Sequence, residues 1–325
     1  MPAFILRRLA QTLLVLFVTS ALVFGGLYLV GNPVEILVNP AADELEKARA
    51  AAALGLDRPV LEQYWVFLKG AASGDLGRSF VFGRPALEVI LERMPATLEL
   101  AFLAMLMSVG IGVPLGLYAG LHPERISSKA IMAGSILGFS LPTFWVGLLL
   151  IMLFAVQLGW LPSTGRGPTE EMFGINISIL SMEGLRYALL PAFNLALFKL
   201  SLIIRLTRAQ VREQSLLDYI RFARAKGLPR SRIIGVHLLK NIMIPLVTVI
   251  GLELGSVIAF AIVTESIFAW PGMGKLVIDS MFQLDRPVVV AYLLVVVLMF
   301  ILINLTVDIL YAALDPRVRL DGGKA

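Results

Sequence analysis

The sequence has 325 residues, of which 58% are hydrophobic and 16% charged, and its mean hydropathy is +0.84. Soluble domains average about 25% charged residues, so this composition indicates a protein surrounded mostly by lipid. The absence of cysteine excludes disulfides, thiolate catalysis and cysteine metal sites. The formal charge of +5 comes from basic residues in short segments beside apolar runs, a topology signal that argues against nucleic-acid binding.

The chain starts with a basic pair, Arg7 and Arg8, and an apolar run over residues 9–30. The apolar core of a secretory signal is about 7 to 15 residues long, whereas a helix that spans a bilayer needs about 20. The sequence therefore predicts that residues 1–30 form a cytoplasmic N-terminus and an uncleaved first transmembrane helix.

Residues 31–94 contain no apolar run of spanning length but do contain helical patterns. Residues 43–54 are rich in alanine, and residues 59–72 place Tyr64 and Trp65 on an apolar helical face. We predict an extracytoplasmic segment with short amphipathic helices that lie on the membrane or on the neighbouring domain. Tyr64 and Trp65 are expected at the membrane interface rather than stacked on a ligand.

Five further apolar runs are long enough to cross a bilayer. They cover residues 96–120, 130–158, 187–206, 242–268 and 288–314. The predicted fold class is thus an all-α polytopic membrane protein with six transmembrane helices, in which residues 95–314 form a five-helix core and 315–325 a cytoplasmic tail. Gly110, Gly112, Pro114 and Gly116 in the second span and Pro142 in the third predict kinks or close helix packing.

Lysine and arginine counts orient these spans. With a cytoplasmic N-terminus, the inside segments 1–8, 121–129, 205–240 and 314–325 carry 16 basic residues in 65 positions, and the outside segments carry 11 in 111. The positive-inside rule therefore predicts that both termini and the loop 207–243 are cytoplasmic.

The longest strongly basic interval, residues 218–245, separates two of the predicted spans. Residues 218–226 are good helix formers, with Asp218 placed to cap the helix start and Gly227 placed to close its end in the left-handed conformation. Pro229 suits the first turn of another helix. The interval is predicted to form two short helices with a glycine break between them.

This interval resembles the EAA loop of importer-type ATP-binding-cassette (ABC) permeases. In that loop Glu-Ala-Ala is followed after three residues by Gly, and after nine more by an apolar residue, any residue and Leu-Pro. Aligned on Gly227, the pattern falls on Arg221, Phe222, Ala223, His237, Leu239 and Lys240, and it matches at Ala223, Gly227 and Leu239. The run Ala223-Arg-Ala-Lys-Gly-Leu228 is the form typical of the first, or B-type, permease subunit of dipeptide, oligopeptide and nickel importers.

Other segments similar to that subtype follow in order along nearly the whole chain. They are Leu54-Gly-Leu-Asp-Arg-Pro59, Gly74-Asp-Leu-Gly-Arg-Ser-Phe80, Met94-Pro-Ala-Thr-Leu-Glu-Leu100, Gly138-Phe-Ser-Leu-Pro-Thr-Phe-Trp145, Leu158-Gly-Trp-Leu-Pro162, Glu265-Ser-Ile-Phe-Ala-Trp-Pro-Gly-Met-Gly274 and Asp315-Pro-Arg-Val-Arg319. Each segment is a weak signal alone, but the ordered set is very specific to the B-type permease.

The resemblance implies a type I importer permease in the inner (plasma) membrane that forms half of a translocation pathway for peptides or a related small solute. It implies a heterodimer with a homologous C-type permease, two ATPase subunits and an extracytoplasmic solute-binding protein. The residues that it assigns to the ATPase-coupling loop are Arg221, Ala223, Arg224, Ala225, Lys226, Gly227 and His237. Which solute is transported is left open.

Motifs for chemistry are missing from the sequence. It contains no Gly-x-x-x-x-Gly-Lys-[Ser/Thr], His-Glu-x-x-His or Gly-x-Ser-x-Gly, and Gly272-Met-Gly-Lys275 is too short to hold a nucleotide. We therefore expect no catalytic residue, no metal site and no cofactor in this chain, with ATP and Mg²⁺ bound by partner subunits. His122 and His237 are isolated and predicted to be exposed in loops.

Ionisable residues inside apolar spans are functional candidates, because their burial in lipid is unfavourable. Glu253 lies about 16 Å along its helix from Ile242, near the centre of the bilayer. If Gly251 and Gly255 pack inward, Glu253 points toward a partner permease or the pathway; the alternative is a carboxyl group bonded between packed helices. Lys199 is the second pathway candidate. The apolar runs place both Lys199 and Glu99 near a span end, from which a charged side chain can extend to the membrane interface.

Two other classes of protein were weighed against the permease. An ion-coupled secondary transporter needs no basic docking loop and often shows an internal repeat, which spans one to three and four to six do not. A membrane-embedded enzyme needs a constellation of polar residues at one depth, and the sequence has none.

Overall fold

The structure is a computed structural model that describes residues 2–27, 43–53 and 55–314. In chain order the elements are α1 (Pro2–Leu27), α2 (Glu44–Ala53), α3 (Val60–Ala72), α4 (Ala86–Leu121), α5 (Ile126–Ser140), α6 (Thr143–Leu150), β1 (Glu170–Met172), β2 (Ile175–Ile177), α7 (Met182–Gln214), α8 (Asp218–Ala225), α9 (Arg230–Arg232), α10 (Leu239–Ile267), α11 (Met273–Phe282) and α12 (Arg286–Leu314). Single π-helical stretches follow α6 (Ile151–Gln157) and α9 (Ile233–Leu238).

The predicted all-α fold class is confirmed, apart from a small hairpin in which β1 and β2 pair antiparallel. Parts of two predicted segments, 1–30 and 31–94, lie outside the described residues, as do the whole predicted tail 315–325 and the motif that begins at Asp315. Helices α2 and α3 confirm the two helical patterns predicted before residue 73.

Four of the described helices are long and apolar enough to cross a membrane: Ala86–Leu121, Met182–Gln214, Pro245–Ile267 and Arg286–Val307. Helices α5 and α6, with the π-helical stretch after α6, are apolar enough together to count as a fifth span, and the pair is bent by 107° at the break between them. Pro142 stands at the start of α6, a position whose N–H has no partner within a helix, so the lack of an N–H in proline costs no hydrogen bond there. The predicted kink at Pro142 is thus confirmed. The apolar stretch Gln11–Gly26 of α1 is shorter than the four spans.

The helices α4 and α7 extend well beyond the apolar runs that predicted them. Helix α4 begins at Ala86 rather than at 96, and α7 runs from Met182 to Gln214 rather than over 187–206. The length of an apolar run reflects the thickness of the hydrocarbon layer. A helix can extend beyond that layer as long as its backbone hydrogen bonds are made, so the helix is longer than the apolar run.

The chain forms two compact units, the first of which contains Met1–Thr97 and Trp270–Ile301. In this unit α3 packs on α1: the Tyr64 hydroxyl lies 2.9 Å from the Ser20 hydroxyl, and the Phe24 ring contacts the rings of Tyr64 and Phe67. Tyr64 therefore has a structural role in helix pairing. Trp65, on the exposed side of α3, remains available for the predicted interfacial position.

The second unit contains Leu98–Ala269 and Leu302–Ala325, and α7 is its central helix, packed against α5, α6 and α10. Glycines allow α4 to approach α7 closely. A Cβ atom placed on Gly116 would lie 2.6 Å from Thr207 Cβ, and one on Gly120 would lie 2.6 Å from Val211 Cβ. The close packing predicted from the glycines of the second span is confirmed.

Candidate functional site

The basic interval 218–245 folds as a short helix, a glycine turn and a second helix. Helix α8 ends at Ala225, and Gly227 adopts the left-handed conformation with φ of 71°. Its amide donates to the carbonyl of Arg224 at 2.9 Å, and the amide of Leu228 donates to the carbonyl of Ala223 at 3.3 Å. These two bonds satisfy carbonyls at the helix end, so the predicted role of Gly227 as a helix stop is confirmed.

Two details of that prediction are wrong. Leu217, not Asp218, precedes the first helical residue; Asp218 lies in the first turn, with its carboxylate 3.5 Å from the Arg221 guanidinium. The second helix is also not short. It begins at Arg230, where Pro229 fits a helix start, and continues through the π-helical stretch into α10, which runs on past Pro245 to Ile267.

Helix α8 has a buried face and an exposed face. Ile220 and Ala223 pack into a buried apolar cluster with Val211, Ile233 and Leu238. The opposite face exposes Arg221, Phe222, Arg224, Ala225 and Lys226, with the Phe222 side chain 61% exposed. The Lys226 ammonium group lies 4.5 Å from the centre of the Phe222 ring. Of the predicted coupling residues on α8, Ala223 is buried and anchors the helix, and Arg221, Arg224 and Ala225 are exposed.

Both histidines were predicted to be exposed in loops. His122 does lie in the loop between α4 and α5, but neither histidine is exposed and His237 is not in a loop. His237 is half-buried in the π-helical stretch, where its carbonyl accepts a hydrogen bond of 2.8 Å from Asn241. His122 is half-buried, stacks on Tyr118 at 4.9 Å and accepts a hydrogen bond of 3.3 Å from Arg230 at Nε2. Both are placed by helix packing that the local sequence does not specify.

The two pathway candidates, Lys199 and Glu253, form an ion pair between α7 and α10. The Lys199 ammonium group also donates to the Ser256 hydroxyl at 2.6 Å, and Ser256 donates to Glu253 Oε2 at 2.8 Å. Lys199 is only 7% exposed. The prediction that it lies near a span end is wrong, because α7 is longer than the apolar run and Lys199 is near its centre.

Glu253 combines the two environments that the sequence left open. A Cβ atom on Gly251 would lie 2.3 Å from Val307 Cγ2, so the glycine side of α10 packs on α12, which is the condition set for an outward-facing Glu253. The Glu253 side chain has a basic partner in Lys199 and is still 24% exposed. Since exposure of a carboxylate to lipid is unfavourable, Glu253 stays a candidate for contact with the pathway or a partner permease.

Aromatic and basic side chains beside this ion pair were missed by the sequence analysis. The ring of Phe198 lies 5.2 Å from the Lys199 ammonium group and stacks on Phe139 at 4.6 Å. The Arg205 guanidinium lies 4.8 Å from the centre of the Phe139 ring. No local sequence motif identifies Phe139, Phe198 and Arg205. The one signal is that Phe198 and Arg205 are seven residues apart, about two helical turns, which places them on one face of α7.

A second buried ion pair joins Glu99 of α4 to Arg166. The Glu99 side chain is 3% exposed, and its carboxylate accepts hydrogen bonds from Arg166, from the Ser178 hydroxyl at 2.5 Å and from the amide of Ile179 at 2.6 Å. The predicted extension of Glu99 to the membrane interface is wrong, because Arg166 and the segment around Ser178 cover it.

The chain is helical and has several apolar spans, one of which is broken. It also has an acid–base pair between two central helices and an exposed basic helix beside a long span. Together these features define a membrane transport subunit. Over residues 112–320 it matches the family described as "Binding-protein-dependent transport system inner membrane component", and over residues 1–101 the N-terminal family of the same systems. The chain belongs to this family and is a multi-pass inner-membrane permease rather than an enzyme.

Named relatives match over almost the whole chain. The di/tripeptide transport system permease protein DppB of Pseudomonas aeruginosa is 39% identical, covering 98% of this chain and 99% of the relative. The dipeptide permease DppB of Escherichia coli K12 is 38% identical with the same coverage, and the glutathione permease GsiC of Escherichia coli K12 is 36% identical, covering 97% and 98%.

Among solved structures, the MetNI methionine ABC transporter in an inward-facing conformation matches with a TM-score of 0.53 and 17% identity, covering 70% of this chain and 96% of that chain. At this identity the match shows a shared fold alone. It agrees with the importer-permease architecture predicted from the sequence.

Proposed function

We propose that this chain forms half of the translocation pathway of an ABC importer for short peptides or a closely related solute. The observation that carries the proposal is the match, over 97% or more of the chain, to permeases named for di/tripeptides, dipeptides and glutathione. All three names describe peptides of two or three residues. The other half of the pathway is a homologous C-type permease, with which this chain forms a heterodimer.

The exposed face of α8 is the surface that docks an ATPase subunit. Support comes from its fixed position, since Ile220 and Ala223 anchor it in the apolar cluster while Arg221, Phe222 and Lys226 remain exposed. ATP and Mg²⁺ are bound by two such ATPase subunits, because this sequence has no phosphate-binding loop. His237, half-buried in the π-helical stretch, supports the surface rather than forming it.

Both termini and the 207–243 loop are on the cytoplasmic side in this proposal, and an extracytoplasmic binding protein delivers the solute to the other side. The support is the excess of lysine and arginine in the segments assigned to the inside.

The proposal is tested in proteoliposomes that contain this chain, the C-type permease and the ATPase subunits, with the binding protein on the outside. We expect uptake of a labelled dipeptide that needs ATP and stops when this chain is left out. Uptake driven by an ion gradient without ATP would instead establish the secondary-transporter alternative.

The docking surface is tested with Gly227→Val. A β-branched residue in the left-handed conformation costs on the order of 1–2 kcal/mol locally, so α8 should be misplaced and peptide-stimulated ATP hydrolysis should fall severalfold. Gly235→Val is the matched control: a Cβ atom at either glycine meets nothing within 4 Å, but Gly235 has a right-handed helical backbone. Equal activity of the two variants would show that the turn at Gly227 does not position the docking surface.

A further inference from the structure

We propose that Glu253 and Arg205 are the two poles of a peptide-binding site, with Glu253 binding the peptide's α-ammonium group and Arg205 its terminal carboxylate. Phe139 and Phe198 form the apolar wall between them. This inference rests on the proposed function and names the chemical groups through which the pathway holds its substrate.

The hydrogen bonds of Glu253 leave one oxygen available. Lys199 and Ser256 both donate to Oε2. Oε1 receives no hydrogen bond from any residue in the described part of the chain, and the side chain is partly exposed. A carboxylate oxygen in that state needs a donor from outside the chain, and a cationic ammonium group is the strongest donor a peptide carries.

Arg205 is complementary to the other end of a peptide. Its Nε donates to the carbonyl of Ser201 at 3.3 Å and its guanidinium lies over Phe139, but it forms no ion pair with a carboxylate within residues 2–27, 43–53 and 55–314. A guanidinium has five donors and binds carboxylates through two parallel hydrogen bonds. The remaining donors are therefore suited to a terminal carboxylate.

The spacing of the two poles along α7 is of the size of a short peptide. Lys199, which pairs with Glu253, and Arg205 are six residues apart on α7, so their backbones are separated by about 9 Å along the helix axis. An extended chain spans about 3.3–3.6 Å per residue, so a dipeptide reaches about 7 Å and a tripeptide about 10 Å. Phe198 lies beside Lys199, Phe139 lies against Arg205, and the two rings stack on each other, so they link the two poles and offer an apolar surface to peptide side chains.

Reversing the charges of Lys199 and Glu253 distinguishes a purely structural ion pair from a peptide-recognition site. In the variant Lys199→Glu with Glu253→Lys, attraction between α7 and α10 is retained, but an ammonium group replaces the carboxylate that meets the peptide. We expect assembly and thermal stability of the complex near the wild-type level, with dipeptide uptake at least tenfold lower. Wild-type uptake by this variant would overturn the proposal.

Glu253→Gln decides the question if the reversed pair fails to assemble. The amide keeps the shape of the carboxylate and an acceptor for Lys199 but loses the charge that attracts an ammonium group, so we expect uptake to fall about tenfold with assembly unchanged. Uptake within twofold of wild type would count against the role of Glu253. Lys275→Asp with Asp279→Lys, a reversal of a half-exposed pair on α11, is the control for reversing charges and should transport normally.

Arg205→Gln tests the other pole with two peptides, a free acid and its C-terminal amide, each delivered on preloaded binding protein. The wild-type complex should transport the acid faster, and the variant should transport both within twofold of each other. An unchanged preference would remove Arg205 from the site. These outcomes are distinct from failure of the proposed function, in which the wild-type complex itself would transport no peptide.

Discussion

The second unit contains two buried ion pairs that differ in how completely the acid is bonded. Glu99 is 3% exposed and accepts hydrogen bonds from Arg166, Ser178 and Ile179, which together occupy both carboxylate oxygens. The Glu253 side chain is 24% exposed and, among the described residues, receives hydrogen bonds at Oε2 alone. The Glu99 pair joins α4 to the segment between the first π-helical stretch and β1, whereas the Glu253 pair joins α7 to α10.

This difference in hydrogen bonding distinguishes the Glu99 pair, which is structural, from the Glu253 pair, which can change partners. Removing a carboxylate from water is unfavourable by several kcal/mol, and this is offset only when hydrogen bonds satisfy its oxygens. Glu99 meets that condition within its own chain. Glu253 does not meet it within the described residues, so its second oxygen can accept a further donor without loss of the contact with Lys199.

Glu99→Leu is expected to have the largest effect on stability. The substitution leaves the Arg166 guanidinium buried without its carboxylate and removes the acceptor of Ser178 and Ile179, so the free energy of unfolding should fall by about 3–5 kcal/mol. Detergent unfolding of the purified complex measures this loss. The double variant Glu99→Leu with Arg166→Leu should recover much of it, and a single variant within about 1 kcal/mol of wild type would show that the Glu99 pair is not structural.

Lys199→Met should have a smaller effect on stability and a larger effect on transport. Glu253 would lose its cation but keep Ser256 and its exposed oxygen, so the free energy of unfolding should fall by about 1–3 kcal/mol. The same unfolding experiment compares the stability of Lys199→Met with that of Glu99→Leu, and uptake is measured in parallel. A loss as large as that of Glu99→Leu would mean that the two pairs are equally structural.

The last comparison is between the two serines, and Ser256→Ala should have the smallest effect of these single variants. Ser178→Ala removes a hydrogen bond to a fully buried carboxylate and should lower the free energy of unfolding by about 1.5–3 kcal/mol. Ser256→Ala removes a bond to a carboxylate that retains Lys199 and solvent access, so about 0.5–1 kcal/mol is expected. Both are measured by detergent unfolding, and the reverse order would contradict the ranking of the two pairs.

Features encoded over a few neighbouring residues were predicted correctly. The bend at Pro142 and the helix stop at Gly227 follow from the backbone properties of those residues, which act whatever the chain packs against. The glycines of the second span predicted close helix packing there, and the structure identifies α7 as the helix that α4 approaches.

What the sequence by itself determined is therefore the apolar spans, the broken third span, the turn in the basic interval and, through ordered motifs, the family. The tertiary structure alone decided which charges meet. Lys199 and Glu253 are 54 residues apart, and Glu99 and Arg166 are 67 apart. Hydropathy and helical periodicity describe one helix at a time, so they place a charge by its distance from the end of an apolar run. The energy of a buried charge depends instead on the donors that neighbouring helices and loops bring to it, and that is fixed only when they pack.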